Sequence, residues 1–226
     1  MHKILAVQKR KARALGAAKP EGGAVAFQQR FGSLLNLHPH VHSVLPDAVF
    51  TKEADGSVKV WALPSPTDEE VAALVKQIAL AVEKGLAREE GDAVFEFDND
   101  EDAAVLTETL AELLEPRLPP KPFTPPSRRP RCAFLEGYSL DANVTVEQGN
   151  RAALERVLRY CARPSFAAKR LSLTPDGKVA YRLSKPWYTG QTQIVLPPLD
   201  FLKRLAALIP PPRKNQVVYF GVFAAN

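Results

Sequence analysis

Three of the four histidines in this 226-residue chain fall within five positions, His38-Pro39-His40-Val41-His42. On an extended strand, side chains two apart share a face. His40 and His42 then present two imidazoles together, and Val41 is expected to turn into the core. Two neutral imidazoles in such an array make half of a divalent-metal site. A half-buried strand whose polar face carries histidine would give the same pattern without chemistry. His38, His40 and His42 together span about 13 Å at about 3.3 Å per residue, too far for one ion without a kink. A further ligand is needed, with Gln29 on the preceding strand as first candidate, His38 as second and Asp47 as third. His2, beside the initiator methionine, is uninformative.

A second group stands on a helix read over residues 150–163, where Arg156, Arg159, Tyr160 and Arg163 fall along one broad stripe. A phenol among guanidiniums is an anion-binding arrangement, because the positive field favours the phenolate and holds a phosphate against it. Pro164 ends the helix and leaves Tyr160 in its last turn. An amphipathic helix with a core-lining tyrosine and solvated arginines fits the same residues. Taken together, the two motifs suit phosphodiester chemistry. A divalent ion on His40 and His42 would polarise the scissile bond while Tyr160 attacks phosphorus, leaving a phosphotyrosine link and a free 3′-hydroxyl. Competent geometry should leave room for one ion and one phosphate, roughly 4–8 Å between the phenol and the ring nitrogens.

The elements that must position these groups follow from composition and pattern. Apolar residues make up 46% and charged residues 24% of the chain, an ordinary globular profile. No stretch approaches the length of a membrane span, and the N-terminal apolar run is too short for a signal peptide, so a cytoplasmic protein is expected. Two cysteines, Cys132 and Cys161, make no disulfide framework. The net charge of +5 hides an asymmetry: residues 51–115 hold 17 acidic and 5 basic residues, between two basic segments. Basic segments around a metal motif favour a phosphate-bearing partner.

Residues 1–22 read as a basic segment with a frayed helix. Ala24 to Arg30 reads as a strand, followed by a turn or bulge at Phe31-Gly32-Ser33 and then the histidine strand. Pro39 argues for an edge or bulge just ahead of His40. Asp55-Gly56 signals a hairpin returning through Val58 to Trp61. The acidic block reads as a helical insertion over about 66–115, opened by a capping signal at Thr67 to Glu70, with a second helix over Asp102 to Leu114. Seven prolines in residues 116–130 mark an extended linker that ends near Arg128 and Arg129. Beyond it come a strand over Tyr138 to Val146, the tyrosine helix, and a hairpin from Leu171 to Leu183 turning at Asp176-Gly177. A strand over Gln191 to Leu196, a helix over Leu199 to Leu208 and a strand over Val217 to Val222 complete the chain. The class is α+β with an antiparallel sheet.

The runs from Gly23 through His42, Leu45 to Phe50, Leu135 to Leu140, Arg159 to Pro164, Arg170 to Leu173 and Pro210 through Val222 resemble HUH-type rolling-circle insertion-sequence transposases. The resemblance runs from about residue 22 to the C-terminus, with several motifs in the right order, and sets a catalytic domain over residues 23–226. It implies an antiparallel HUH-endonuclease core flanked by helices, with the helical acidic insertion set into it. It also implies nicking and joining of single-stranded DNA at transposon ends, Mg²⁺ or Mn²⁺ as the cofactor, and a transient 5′-phosphotyrosine. Carried over by position, His40 and His42 match the metal ligands and Tyr160 the catalytic tyrosine, while Arg156, Arg159, Arg163 and Arg170 are the expected DNA contacts. No membrane and no small-molecule cofactor are implied. Arg156 stands where two-tyrosine members carry a second tyrosine, so the chain resembles a single-tyrosine variant. Asp141 and Phe220 replace histidines common in relatives, and no cysteine-rich zinc region precedes the core, so a truncated transposase is expected. Two rivals follow. One is a catalytically inactive remnant that only binds single-stranded DNA. The other is a zinc hydrolase unrelated to DNA, resting on His40 and His42 alone.

Overall fold

The computed structural model describes residues 1–92, 118, 129–210 and 213–225. Among them are four α-helices and ten strands arranged in small antiparallel sheets, an α+β architecture. The expected helix at 102–114 and most of the proline-rich linker lie outside the described residues.

The chain opens with helix α1 (His2–Ala14). It is docked rather than frayed: Leu5 and Ala12 are buried, Gln8 Nε2 donates to the Pro46 carbonyl at 2.9 Å, and Lys11 meets Glu70 at 2.6 Å. Strands β1 (Gly23–Phe31) and β2 (Leu37–Val44) follow, then a hairpin of β3 (Ala48–Lys52) and β4 (Val58–Ala62). That hairpin turns at Asp55-Gly56 as the sequence demands, with Gly56 at φ 84°. Helix α2 (Asp68–Asp92) opens with the expected capping box. Thr67 N–H donates to Glu70 Oε2 at 2.9 Å, and Glu70 N–H donates to Thr67 Oγ1 at 3.2 Å. Its buried Val71, Leu74, Val75 and Ala79 fall on one stripe, and the helix packs against strands β5 (Cys132–Leu135) and β6 (Tyr138–Asp141).

Strand β5 was not legible, and the strand expected over Tyr138 to Val146 is shorter. The ladder pairs only Cys132–Leu135 with Tyr138–Asp141, and residues 142–147 carry no strand. The turn between them places Glu136 and Gly137 both at positive φ, 46° and 88°, the geometry of a tight two-residue hairpin.

Helix α3 (Arg151–Cys161) leads through a 3₁₀ turn (Ala168–Arg170) into β7 (Leu171–Leu173), β8 (Val179–Arg182) and β9 (Gln193–Leu196). These three strands form one antiparallel sheet. Helix α4 (Pro198–Leu208) covers it, and the principal core gathers Phe31, Leu35, Tyr181, Ile194, Leu196 and Phe201. Strand β10 (Val217–Gly221) returns to pair with β1, giving the sheet order β10-β1-β2. Gly221 (φ 60°) lies so close to the Gly22 carbonyl that any Cβ would collide with backbone, and Val222 N–H donates to that carbonyl at 3.0 Å.

Candidate functional site

The site is built on β1 and β2. Their antiparallel register sets Phe27 opposite His42 and Gln29 opposite His40, so all four side chains share a face. Between the Gln29–His40 and Phe31–Leu37 pairs, β2 carries one residue more than β1. Pro39, which has no N–H to give to a ladder, sits in that bulge. The irregularity separates His38 from the regular alternation that joins His40 to His42.

One expectation is reversed here. Val41 does not turn into the core: it pairs with Gln28 and is 59% exposed, whereas His40 and His42 are half-buried. The face of β2 is dictated by its partner strand. Phe27, Gln29 and Phe31 are buried on β1 while Gln28 is exposed, so the histidines share the covered side and the valine does not. The strand bearing the histidines is also an edge, paired only with β1 among the described residues.

Helix α3 covers that face. Asn150 caps it by accepting the Ala153 N–H at 3.0 Å, and Cys161 is its buried residue. Tyr160, in the last turn, is 53% exposed. Its ring lies 5.2 Å from that of His42 at an interplanar angle of 67°, within the range of edge-to-face aromatic pairs. The His42 ring is in turn 4.9 Å from His40, and His40 is 5.3 Å from His38. The structure therefore brings the phenol and the imidazoles together from 118 residues apart.

The arginines divide. Arg163 places its guanidinium 4.7 Å from the centre of the Tyr160 ring and 5.5 Å from that of Phe31. Arg159 turns away to Glu155, a 2.7 Å pair on the exposed side of the helix. Arg156 is exposed and lines an adjoining cleft of about 1060 Å³, whose walls also include Val144, His42 and Tyr160. Arg170 ends the 3₁₀ turn before β7. The expectation of three guanidiniums around the tyrosine thus reduces to one in ring contact. Asp47 is exposed beyond β2 on the cleft wall. Phe31, which also meets the His40 ring at 6.3 Å, is a site residue that the sequence reading missed. Its signal was its place two residues beyond Gln29 on the same strand.

Burial, then the charges of His40 and Arg163, hold the His42 imidazole below its ordinary pKa of 6.5. Partial burial and His40 act on His38 in the same direction. Both shifts favour neutral rings with free lone pairs. His40 Nδ1 lies 2.8 Å from the His38 carbonyl. A carbonyl can only accept, so Nδ1 carries a proton and Nε2 is the nitrogen left to face a ligand. His42 Nε2 is buried without a hydrogen-bond partner, and so is Gln29 Oε1. Buried polar atoms are ordinarily satisfied; an orphaned imidazole nitrogen and an orphaned amide oxygen on the face that also carries His40 fit a divalent cation. No group of three or more His, Cys, Asp or Glu side chains suited to a metal occurs among the described residues; the group on this face that could join the two imidazoles is the amide oxygen of Gln29.

Fold and site together define an α+β protein with a phenol, imidazoles and a guanidinium gathered on one sheet face, a set of groups suited to handling a phosphate. The chain belongs to a family of transposases: residues 23–226 match the family described as "Putative transposase". Membership makes DNA its partner and DNA transposition its process. No curated protein and no solved structure matches the chain. No helix among the described residues is long and apolar enough to cross a membrane.

Proposed function

We propose that residues 23–226 form an HUH-type catalytic domain that nicks and rejoins single-stranded DNA at transposon ends through a covalent link to Tyr160. The observation that carries this reading is the ring contact between Tyr160 and His42 at 5.2 Å. Tyr160 Oη attacks phosphorus, the bond from phosphorus to the 3′-oxygen breaks, and the phenolic proton ends on that oxygen as a hydroxyl. The DNA stays attached through its 5′-phosphate. Because the link keeps the phosphodiester's energy, a 3′-hydroxyl can reverse the step and join strands without ATP.

His40, His42 and Gln29 would hold Mg²⁺ or Mn²⁺, which when bound polarises the scissile phosphodiester. His38 serves this site through its carbonyl, which fixes the tautomer of His40. Arg163, stacked against the Tyr160 ring, would meet the phosphate. Arg156 and Arg170 contribute to the DNA path, and Arg159 can do so only by leaving Glu155. Arg156 occupies the position four before Tyr160, so this is a single-nucleophile site. The test is incubation of the full chain with Mn²⁺ and a labelled single-stranded oligonucleotide. A covalent adduct is expected, abolished in Tyr160→Phe with DNA binding retained. An adduct unchanged in that variant would move the nucleophile elsewhere.

A further inference from the structure

The hydrogen bond that ties helix α3 to the sheet is made by the same side chain that offers the metal an oxygen. Gln29 is 4% exposed and its Nε2 donates to the Cys161 carbonyl at 2.6 Å, across 132 residues of sequence. Cys161 is the last residue of α3 and follows Tyr160 directly. The final carbonyls of a helix have no partner within it, so this bond satisfies an acceptor and fixes the end of the helix that carries the phenol. Because the Cys161 oxygen can only accept, the NH₂ of Gln29 must face it. The amide orientation is thereby fixed and Oε1 is left buried without a donor.

We propose that Gln29 is a positioning residue that couples cation binding to the placement of Tyr160. The inference rests on the reading of His40, His42 and Gln29 as the cation site. A cation on Oε1 draws electron density from the amide and makes its N–H a stronger donor, so the bond to Cys161 tightens when the ion binds. By linkage, a helix end already held in place binds the ion more tightly. The phenol would then be held more firmly when the ion is present, which favours attack once the site is complete.

The test compares wild type with Gln29→Glu and Gln29→Ala, measuring Mg²⁺ binding by calorimetry and amide hydrogen exchange in residues 158–163, both without DNA. In wild type, Mg²⁺ should slow exchange in that turn. Gln29→Glu keeps an oxygen ligand but cannot donate to Cys161. It should bind Mg²⁺ at least as well, show no Mg²⁺-dependent protection, and form adduct about tenfold more slowly. Gln29→Ala should lose both affinity and protection. A merely structural glutamine would leave exchange in this turn indifferent to Mg²⁺. Binding in wild type without protection overturns the coupling alone, as does protection that survives in Gln29→Glu. No Mg²⁺ binding at all overturns the cation site and the coupling with it.

Discussion

The two three-stranded sheets among the described residues are built to different standards. In β7-β8-β9 with α4, neighbours in sequence are neighbours in space, and the interior is mostly apolar: Tyr181, Ile194, Leu196 and Phe201 close on one another, with Arg204 the buried charged residue of α4. In β10-β1-β2 with α3, the partners come from both ends of the chain, and the covered face holds two imidazoles, an amide and a phenol beside a guanidinium, with two buried polar atoms, His42 Nε2 and Gln29 Oε1, left without hydrogen-bond partners. A sheet selected for stability alone would not leave those atoms unpaired, since each costs about 1–3 kcal/mol. Under the proposed function, the first sheet is scaffold and the second carries the chemistry at some expense in stability.

The sharpest way to break this comparison is His42→Phe. The aromatic contact with Tyr160 survives and the orphan Nε2 disappears. Thermal stability should therefore hold or rise, by up to about 1 kcal/mol, while adduct formation falls below detection. A large loss of stability would mean that His42 is part of the scaffold. The converse variant is Leu196→Ala, 1% exposed in the other sheet. Denaturant unfolding should show a loss of about 2–5 kcal/mol, with Mg²⁺ affinity unchanged under conditions where the protein remains folded.

Smaller effects separate the arginines. Arg163→Ala should weaken single-stranded DNA binding and reduce the salt slope by about one. Arg159→Ala, which loses only an exposed pair with Glu155, should change stability by no more than about 0.5 kcal/mol. Equal effects of the two on DNA binding would erase the distinction drawn between them.

The smallest effect is one of pH. His38 and His42 have folded-state pKa values below the ordinary 6.5, so the unfolded chain takes up their protons first. Stability is fully present above pH 6.5 and declines as the pH falls below it toward the folded-state values. His42→Phe should flatten an acid titration followed by thermal unfolding over that window, and Leu196→Ala should leave its slope unchanged.

Much of the scaffold could be read from the chain because its signals are local. The Asp55-Gly56 and Asp176-Gly177 turns, the Thr67–Glu70 capping box and the helical stripe of α2 each lie within a few residues of the element they specify. The failures have non-local causes. Val41 was expected inside because apolar residues usually are, but pairing to Gln28 decides its face. The strand beyond Asp141 was overextended because Val144 and Val146 alternate correctly yet have no strand beside them. Of the site, the His40–His42 pair and the last-turn position of Tyr160 were legible from spacing. Their meeting was not, since no local rule joins residues 42 and 160; the complementary chemistry of the two motifs and the family resemblance suggested it. The role of Gln29 was half legible: its place on the adjacent strand could be read, but its bond to a backbone carbonyl has no side-chain signature.

The most direct test of the central claim is to locate the covalent bond. The full chain, reacted with Mn²⁺ and a single-stranded oligonucleotide, is digested with nuclease and trypsin and mapped by tandem mass spectrometry. Because trypsin does not cut between Arg163 and Pro164, the modified peptide should run from Tyr160 to Lys169, with the nucleotide on Tyr160. A nucleotide found instead on Tyr138, Tyr181, Tyr188 or Tyr219 would contradict the account.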